Sequence, residues 1–330
     1  MQHTAPPPPG NPDHSLDAEG APTWHHLDEG HGRPLVLLHG IGMSGRAWAP
    51  VMPGLTPHRR VLAFDVAGFG RSPMLAAHRL PTAINLALAL KEVLTRMGIT
   101  EPVDIVGNSM GGWMALEAAR LGMARSVVAI SPAGLWRHPP MHAKHLFFTM
   151  RRATRMAPGL VKAMLSVPWL RELLLAMPVS TGSRHMPADE AFAAALDFAH
   201  APGFDATFHQ ATRFEGGQGV QVPITVAFGT HDWLLPRQAR LRTELPEHIR
   251  WLEPKGWGPR AHVERPARGC AADLGRHPLT LTRQAKPVRR RRAVPATGGP
   301  LPGWRARGGA RRPGERCPGR PGRCARGGRG

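Results

Sequence analysis

Residues 1–258 contain no cysteine, because Cys270, Cys317 and Cys324 all lie closer to the C-terminus. A disulfide or a thiolate-bound metal is therefore excluded from this part of the chain. The sequence also lacks a run of about 18 apolar residues, which a membrane-spanning helix needs. Its polar, proline-rich start has neither the basic nor the apolar segment of a signal peptide. We therefore expect a soluble cytoplasmic protein without a membrane partner, with a disordered leader over residues 1–21.

Acidic residues are scarce only in the C-terminal segment. Residues 259–330 hold 19 of the 43 lysines and arginines but 3 of the 23 aspartates and glutamates. Residues 1–258 thus hold 24 basic and 20 acidic residues, so the pI of about 11.6 belongs to the tail. These 258 residues are enough for one domain with a sizeable core.

Short continuous apolar runs alternate with helical patterns, which predicts a mostly parallel sheet with helices on both faces. The predicted strands are residues 24–27, 35–38, 61–64, 103–106, 126–130, 224–228 and 249–252. Between residues 135 and 220 the apolar spacing is helical throughout, which predicts a helical cap inserted into the sheet. We therefore divide the domain into a core of residues 22–134 and 221–258 and a cap of residues 135–220. Some Met and Phe side chains of the cap are expected to line a substrate pocket.

The motif Gly107-Asn108-Ser109-Met110-Gly111 lies between a predicted strand and a predicted helix. This is G-x-S-x-G in the setting of a nucleophile elbow. A strand that turns directly into a helix crowds the backbone beside the serine, where only a residue without Cβ fits. The serine also lies at a helix N-terminus, which favours negative charge. We interpret Ser109 as a catalytic nucleophile.

Two further groups of residues fit a serine nucleophile. In elbow hydrolases the acid follows the serine in the chain, and Asp232 follows a predicted strand end. It could instead cap the helix expected to begin at Pro236. The oxyanion hole is expected to use the backbone N–H groups of Met110 and Ile41, while His39 supports the loop of Ile41. This chemistry needs no cofactor and no metal ion.

Together these residues resemble the α/β-hydrolase superfamily over about residues 22–258. The resemblance rests on four segments: His39-Gly40-Ile41-Gly42, Asp65-Val66-Ala67-Gly68-Phe69-Gly70-Arg71-Ser72, Gly107-Asn108-Ser109-Met110-Gly111-Gly112 and Gly229-Thr230-His231-Asp232. It implies the α/β-hydrolase fold, a helical cap and Ser–His–Asp chemistry on a small apolar ester or carbonyl compound. Esterases, lipases and carbon–carbon bond hydrolases of aromatic ring-cleavage products share these motifs. A serine nucleophile argues against haloalkane dehalogenases, which use aspartate.

The resemblance also implies a histidine after the last strand, commonly in the pattern Gly-His-Val-Pro-Met-Trp-x-Asp-Pro. Residues 258–266 read Gly-Pro-Arg-Ala-His-Val-Glu-Arg-Pro, so Pro259 occupies the histidine position. His262 lies three residues beyond it and is the fallback base; His248 and His277 are weaker candidates.

We infer a reading-frame error after about Gly258. Codons for residues 258–266, read one nucleotide later, can encode Gly-His-Val-Pro-Met-Trp-Asn-Asp-Pro. Because Trp257 must be TGG, one extra G in a G run is sufficient. Out-of-frame translation of GC-rich DNA also explains the disordered Arg/Gly/Pro-rich tail, residues 259–330. The predicted function is a serine hydrolase that cleaves an ester or a carbon–carbon bond through an acyl-enzyme on Ser109.

The alternative is a catalytically impaired binding protein of the same fold, whose basic tail binds nucleic acid. Its arginines at 289–292 and 305–329 would serve, but aromatic residues are not interleaved with them beyond Trp304. Nucleic acid is therefore the less favoured partner.

Sequencing the source DNA across the codon of Trp257 tests the inferred frame error. We expect a G run one nucleotide shorter than the reading that yields this chain. Source DNA that unambiguously encodes Pro259 in the present frame would contradict the inference.

Overall fold

The computed structural model describes residues 23–176 and 183–255. The predicted leader and tail, His262, His277 and the expected histidine position lie outside these residues. Within them, seven strands form one sheet. In chain order the strands are β1 (His26–Glu29), β2 (Pro34–Leu38), β3 (Arg60–Phe64), β4 (Val103–Asn108), β5 (Ala124–Ile130), β6 (Ile224–Ala227) and β7 (Arg250–Leu252).

The sheet is mostly parallel, as predicted. Its strand order is β1-β3-β2-β4-β5-β6-β7, and β1 alone runs antiparallel to its neighbour. The register pairs Leu38 of β2 with Gly107 of β4, Asn108 with Ile130 of β5, and Ile130 with Ala227 of β6. The carboxyl ends of these four strands therefore lie at one edge of the sheet, where parallel sheets bind ligands.

Helices flank the sheet and fill the segment between β5 and β6. They are α1 (Met52–Leu55), α2 (Ala83–Arg96), α3 (Met110–Arg120), α4 (Met141–Met156), α5 (Pro158–Ser166), α6 (Pro168–Ala176), α7 (Ala188–His200) and α8 (Phe204–His209). We call α4–α8 the helical insertion; its described residues contain no strand. Its predicted limits at residues 135 and 220 stay predictions, as does the division into domains.

The core lies on both faces of the sheet, because alternate strand residues point to opposite sides. On β2, Val36 and Leu38 pack in the larger cluster, which includes the apolar faces of α2 and α3. Leu35 and Leu37 pack in a second cluster, with Trp48 and residues of α1. Strands buried on both faces explain the continuous apolar runs of the sequence.

The prediction that a helix begins at Pro236 is wrong. The chain forms one 3₁₀ turn, Arg237–Ala239. The Arg240 side chain instead donates from Nε to the carbonyl oxygen of Leu235 at 2.7 Å, so it binds the backbone that the helix would have covered. Pro246, a few residues later, lacks the N–H that a longer helix would need.

A buried carboxylate joins the strands that carry the site. Asp104 on β4 is fully buried and accepts hydrogen bonds from Arg59 at 2.5 Å and from the Ser126 hydroxyl at 2.6 Å. Arg125 also pairs with it. Arg59 directly precedes β3, and Arg125 and Ser126 lie on β5. The Asp104 side chain therefore links β4 to β5 and to the start of β3.

Asp104→Ala is expected to destabilise the protein by about 3 kcal/mol or more, because it leaves buried Arg59 without its counter-charge. Urea unfolding followed by tryptophan fluorescence measures the loss. The control is Asp28→Ala, which breaks the Asp28–Arg60 pair, whose side chains are both about one-third exposed. That pair should contribute less than about 1 kcal/mol to the free energy of unfolding. Equal losses in the two variants would contradict the structural role of Asp104.

Candidate active site

Ser109 occupies a strained bend between β4 and α3. Its φ of 53° and ψ of −112° lie in a region that L-residues rarely adopt. Its N–H donates to Ile130 at 2.9 Å, and its carbonyl oxygen accepts from Trp113 and Ala133 at 3.0 Å. The neighbouring strand, the helix and the following loop thus hold the bend together.

The two glycines of the motif are required by close backbone contacts. A Cβ on Gly107 would lie 2.0 Å from the carbonyl oxygen of Gly111. A Cβ on Gly111 would lie 2.2 Å from the carbonyl oxygen of Leu38 on β2. No side chain fits at these distances, which explains physically why a glycine lies two residues on either side of Ser109.

The loop after β2 lies against the bend. The N–H of Gly111 donates to the His39 carbonyl at 3.1 Å, and a Cβ on Gly40 would be 3.4 Å from that of Ser109. Buried His39 accepts the N–H of Val66 at Nε2 and, in the tautomer this requires, donates from Nδ1 to Gly40. Both ring nitrogens are thus engaged in positioning the loop.

The N–H groups of Ile41 and Met110 are the predicted oxyanion donors. Both residues line the same cavity as Ser109. Among the hydrogen bonds of the described residues, neither N–H has an acceptor. The structure therefore brings together the serine and two residues whose amides are unpaired, beside the N-terminus of α3.

Asp232 follows β6 and lines this cavity, although it is only 5% exposed. Its Oδ1 accepts the N–H of Leu235 at 3.0 Å, whereas its Oδ2 is buried and has no hydrogen-bond partner among the residues that the structure describes. Burial raises the pKa of this carboxyl above its ordinary value, and the Leu235 N–H offsets the rise only in part. Oδ1 thus stabilises the turn, and Oδ2 has no donor among the described residues.

Ser131 is a site residue that the sequence argument missed. It follows β5, is 1% exposed, lines the cavity and has a φ of 43°. Ser109 and Ser131 are the non-glycine residues with positive φ in the described ranges. The Ser131 hydroxyl lies close enough to Asp232 to lower its pKa slightly, but their geometry falls short of a normal hydrogen bond. The signal available in the sequence is its position directly after the predicted strand of residues 126–130.

Among the side chains that the structure describes, which leave out those of residues 141–142, no histidine lines the cavity. His248 is exposed, and its Nε2 lies 3.1 Å from the Val222 carbonyl oxygen, so it is not placed to act on Ser109. His262 and His277 are outside the described residues. In the same ranges, no group of three or more His, Cys, Asp or Glu side chains is arranged to hold a metal ion. None of the described helices has the length and apolar character that crossing a bilayer requires.

The cavity has a volume of about 850 Å³ and lies between the sheet edge and the helical insertion. The insertion contributes a mainly apolar wall that includes Phe147, Met150, Phe198 and Phe208. Phe204, by contrast, is fully buried in the core. Helical spacing cannot tell a side chain that lines the cavity from one buried in the core, because both lie on the inward face of a helix.

Comparison with known proteins agrees with this architecture. Residues 33–163 match the family model described as alpha/beta hydrolase fold. The chain is 40% identical to a pimeloyl-[acyl-carrier protein] methyl ester esterase of Methylococcus capsulatus, over 28% of this chain and 33% of the relative. It is also 40% identical to a 2-hydroxymuconate semialdehyde hydrolase of a Pseudomonas species, over 28% of this chain and 33% of the relative.

The matched part spans about a third of the length of these curated relatives. A solved structure extends further: a serine hydrolase involved in carbazole degradation is 25% identical, with a TM-score of 0.54. That match covers 74% of this chain and 90% of the solved one. The predicted α/β-hydrolase fold is confirmed.

Asp232→Asn is expected to raise Tm at pH 7 by about 2–4 °C, because it removes a charge that burial disfavours. The folded carboxyl retains its proton to higher pH than the unfolded one. Its cost to stability therefore grows as pH rises above the ordinary value of 3.8, and the gain should fade as pH falls toward that value. Thermal melts at several pH values measure this. Glu101→Gln, at an exposed position, is the control and should leave Tm at pH 7 nearly unchanged. An Asp232→Asn gain independent of pH would contradict the assignment.

Proposed function

We propose that this chain, which has the α/β-hydrolase fold, is a serine hydrolase acting through an acyl-enzyme on Ser109. One observation carries the proposal. Strained Ser109 and the unpaired buried oxygen of Asp232 line one cavity, at the edge of the sheet where both strands end. Strain and an unpaired buried charge both cost stability, and such costs cluster at functional sites.

In the proposed reaction, a histidine base takes the proton of Ser109, and the serine oxygen attacks the substrate carbonyl carbon. The negative charge that develops on the carbonyl oxygen is held by the N–H groups of Ile41 and Met110. The leaving group then departs with the proton from the histidine. Water, deprotonated by the same histidine, releases the acyl group and regenerates the serine.

Asp232 Oδ2 would accept the second N–H of that histidine, which fixes the ring orientation and stabilises its protonated form. The unpaired oxygen thereby gains the donor that it lacks among the described residues. Ser131 would support the same carboxylate. The chain after β7 lies close by, because the N–H of Thr230 donates to the carbonyl of Pro254 at 3.2 Å.

The expected histidine position lies five residues beyond Pro254, and Pro259 occupies it. We therefore propose that the enzyme's base is the histidine of the shifted frame. Removing the base from a catalytic triad costs on the order of a million-fold in turnover. The chain as it stands is then nearly inactive unless His262 reaches Ser109.

The cavity supports a small apolar ester or carbonyl compound as substrate, enclosed by the helical insertion acting as a cap. Its walls are mainly apolar side chains, and its polar groups are concentrated at the sheet edge. The matched relatives are named as an esterase and as a semialdehyde hydrolase. Both ester and carbon–carbon bond cleavage fit the proposed chemistry.

Labelling with a fluorophosphonate tests the proposal, because this reagent traps activated serines. The comparison uses the chain as it stands, a frame-corrected chain, and the Ser109→Ala variant of each. We expect rapid labelling of the frame-corrected chain, labelling slower by several orders of magnitude in the chain as it stands, and none in either variant. Equal labelling of both parent chains would reject the missing-base argument but retain the serine. Absence of labelling in both parents would overturn the proposed function.

A further inference from the structure

The Arg240 side chain binds the turn that carries Asp232 at three backbone carbonyl groups. Its Nε donates to the carbonyl oxygen of Leu235 at 2.7 Å, and its Nη2 donates to those of Asp232 and Gly229 at 3.2 and 3.3 Å. The three acceptors lie before, at and after the candidate acid. One side chain that follows the turn therefore fixes the backbone on both sides of the carboxyl group.

Arg240 is itself held by neighbouring parts of the core. Its guanidinium carbon lies 4.8 Å from the ring centre of Phe228, which is fully buried directly after β6. A planar guanidinium is attracted to an aromatic ring at this distance. The N–H of the next residue, Leu241, donates to the carbonyl oxygen of Leu135, in the loop after β5, at 2.7 Å. Two other segments thus set the position of the side chain that binds the turn.

Arg240 also brings a positive charge to a carboxyl group that is almost completely buried. Burial raises the pKa of Asp232, and the attraction of Arg240 lowers it. The Ser131 hydroxyl and the N–H groups of Leu234 and Leu235 act in the same direction as Arg240. Of the charged side chains in residues 23–176 and 183–255, Arg240 is the one whose charge acts on this carboxyl group.

The other charged groups nearby act on Arg240. Burial lowers the pKa of its guanidinium, whereas attraction by Asp232 and Glu253 raises it and repulsion by Arg237 lowers it further. Arg237 pairs with Glu253 at 3.6 Å, and its side chain is 81% exposed, so water screens its charge. His231, next to Asp232 in the chain, is also exposed. Arg237 and Arg240 thus differ in their contact with the turn.

We propose that Arg240 is a positioning residue for the catalytic acid, which fixes the turn of Asp232 and supplies the positive charge beside it. This inference rests on the proposed function, because it takes Asp232 as the carboxylate that orients a histidine. Arg240 is not among the described residues that line the cavity, so it acts through Asp232 and not on the substrate. The protonated histidine of the proposed reaction needs a carboxylate that is ionised and correctly oriented.

Two substitutions separate the charge of Arg240 from its geometry. Arg240→Gln removes the charge. Arg240→Lys keeps the charge but replaces the planar guanidinium by an ammonium group on a flexible chain, which cannot reproduce the same fork of donors. The matched control is Arg237→Gln, which makes the same change of charge three residues earlier, at a largely exposed side chain.

Thermal melts of the chain as it stands measure the interaction between the two charges. At pH 7 Arg240 offsets part of the cost of burying ionised Asp232. Asp232→Asn should therefore raise Tm by about 2 °C more in the Arg240→Gln background than in the parent. In the Arg237→Gln background its gain should equal that in the parent. The difference should disappear toward pH 3.8, where the folded carboxyl is protonated with or without Arg240.

A purely structural role of Arg240 predicts a different result. Arg240→Gln would then lower Tm but leave the gain from Asp232→Asn unchanged, and this outcome would overturn the proposal.

Turnover of a p-nitrophenyl ester by the frame-corrected chain measures the geometric contribution. Arg240→Lys should lower kcat about tenfold and leave KM unchanged, because a displaced acid weakens only the transition state. Arg237→Gln should change neither constant. An unchanged kcat in Arg240→Lys would overturn the positioning role, and this measurement decides the matter if Arg240→Gln does not fold.

Failure of this inference can be distinguished from failure of the proposed function, because the melts need no reaction at Ser109. If the serine is labelled but the gain from Asp232→Asn does not depend on Arg240, the inference alone is wrong. If neither parent chain is labelled, the proposed function is wrong, and the inference fails with it whatever the melts show.

Discussion

The backbone conformation of Ser109 is the constraint on which the rest of the site depends. Ser109 is the single residue between β4 and α3, and its conformation persists because neighbouring segments bond to both its N–H and its carbonyl oxygen. It also accounts for the glycines beside it, since the same close contacts leave no space for Cβ. In the proposed reaction, the amide of the loop after β2 and the carboxylate after β6 can act only if the serine oxygen is fixed relative to them.

Much of the architecture followed from local sequence patterns. Fully buried parallel strands give unbroken apolar runs, so each predicted strand corresponds to an observed one within a few residues. The elbow was recognisable because its two glycines and the serine lie within five residues, although the contact that excludes Cβ at Gly111 comes from Leu38 on β2. The helix expected at Pro236 could not be judged in this way, because the Arg240 side chain binds the carbonyl oxygen of Leu235, five residues earlier. A side-chain contact of this kind leaves no periodic signal.

Candidate site residues could be predicted from the sequence where a reactive side chain directly follows a predicted strand, and not elsewhere. Ser109 and Asp232 combine a reactive side chain with a strand terminus. Ser131 has the same placement, but its strained backbone and unpaired hydroxyl become visible only in three dimensions.

One hydrogen bond connects the helical insertion with the loop after β2. The Ser44 hydroxyl donates to Asp197 of α7 at 2.9 Å, and Ser44 lies three residues beyond Ile41. Because of this bond, a displacement of α7 would pull on the segment that carries Ile41, the proposed oxyanion donor. A change in the position of the helical insertion would therefore be transmitted to the loop that lies against Ser109.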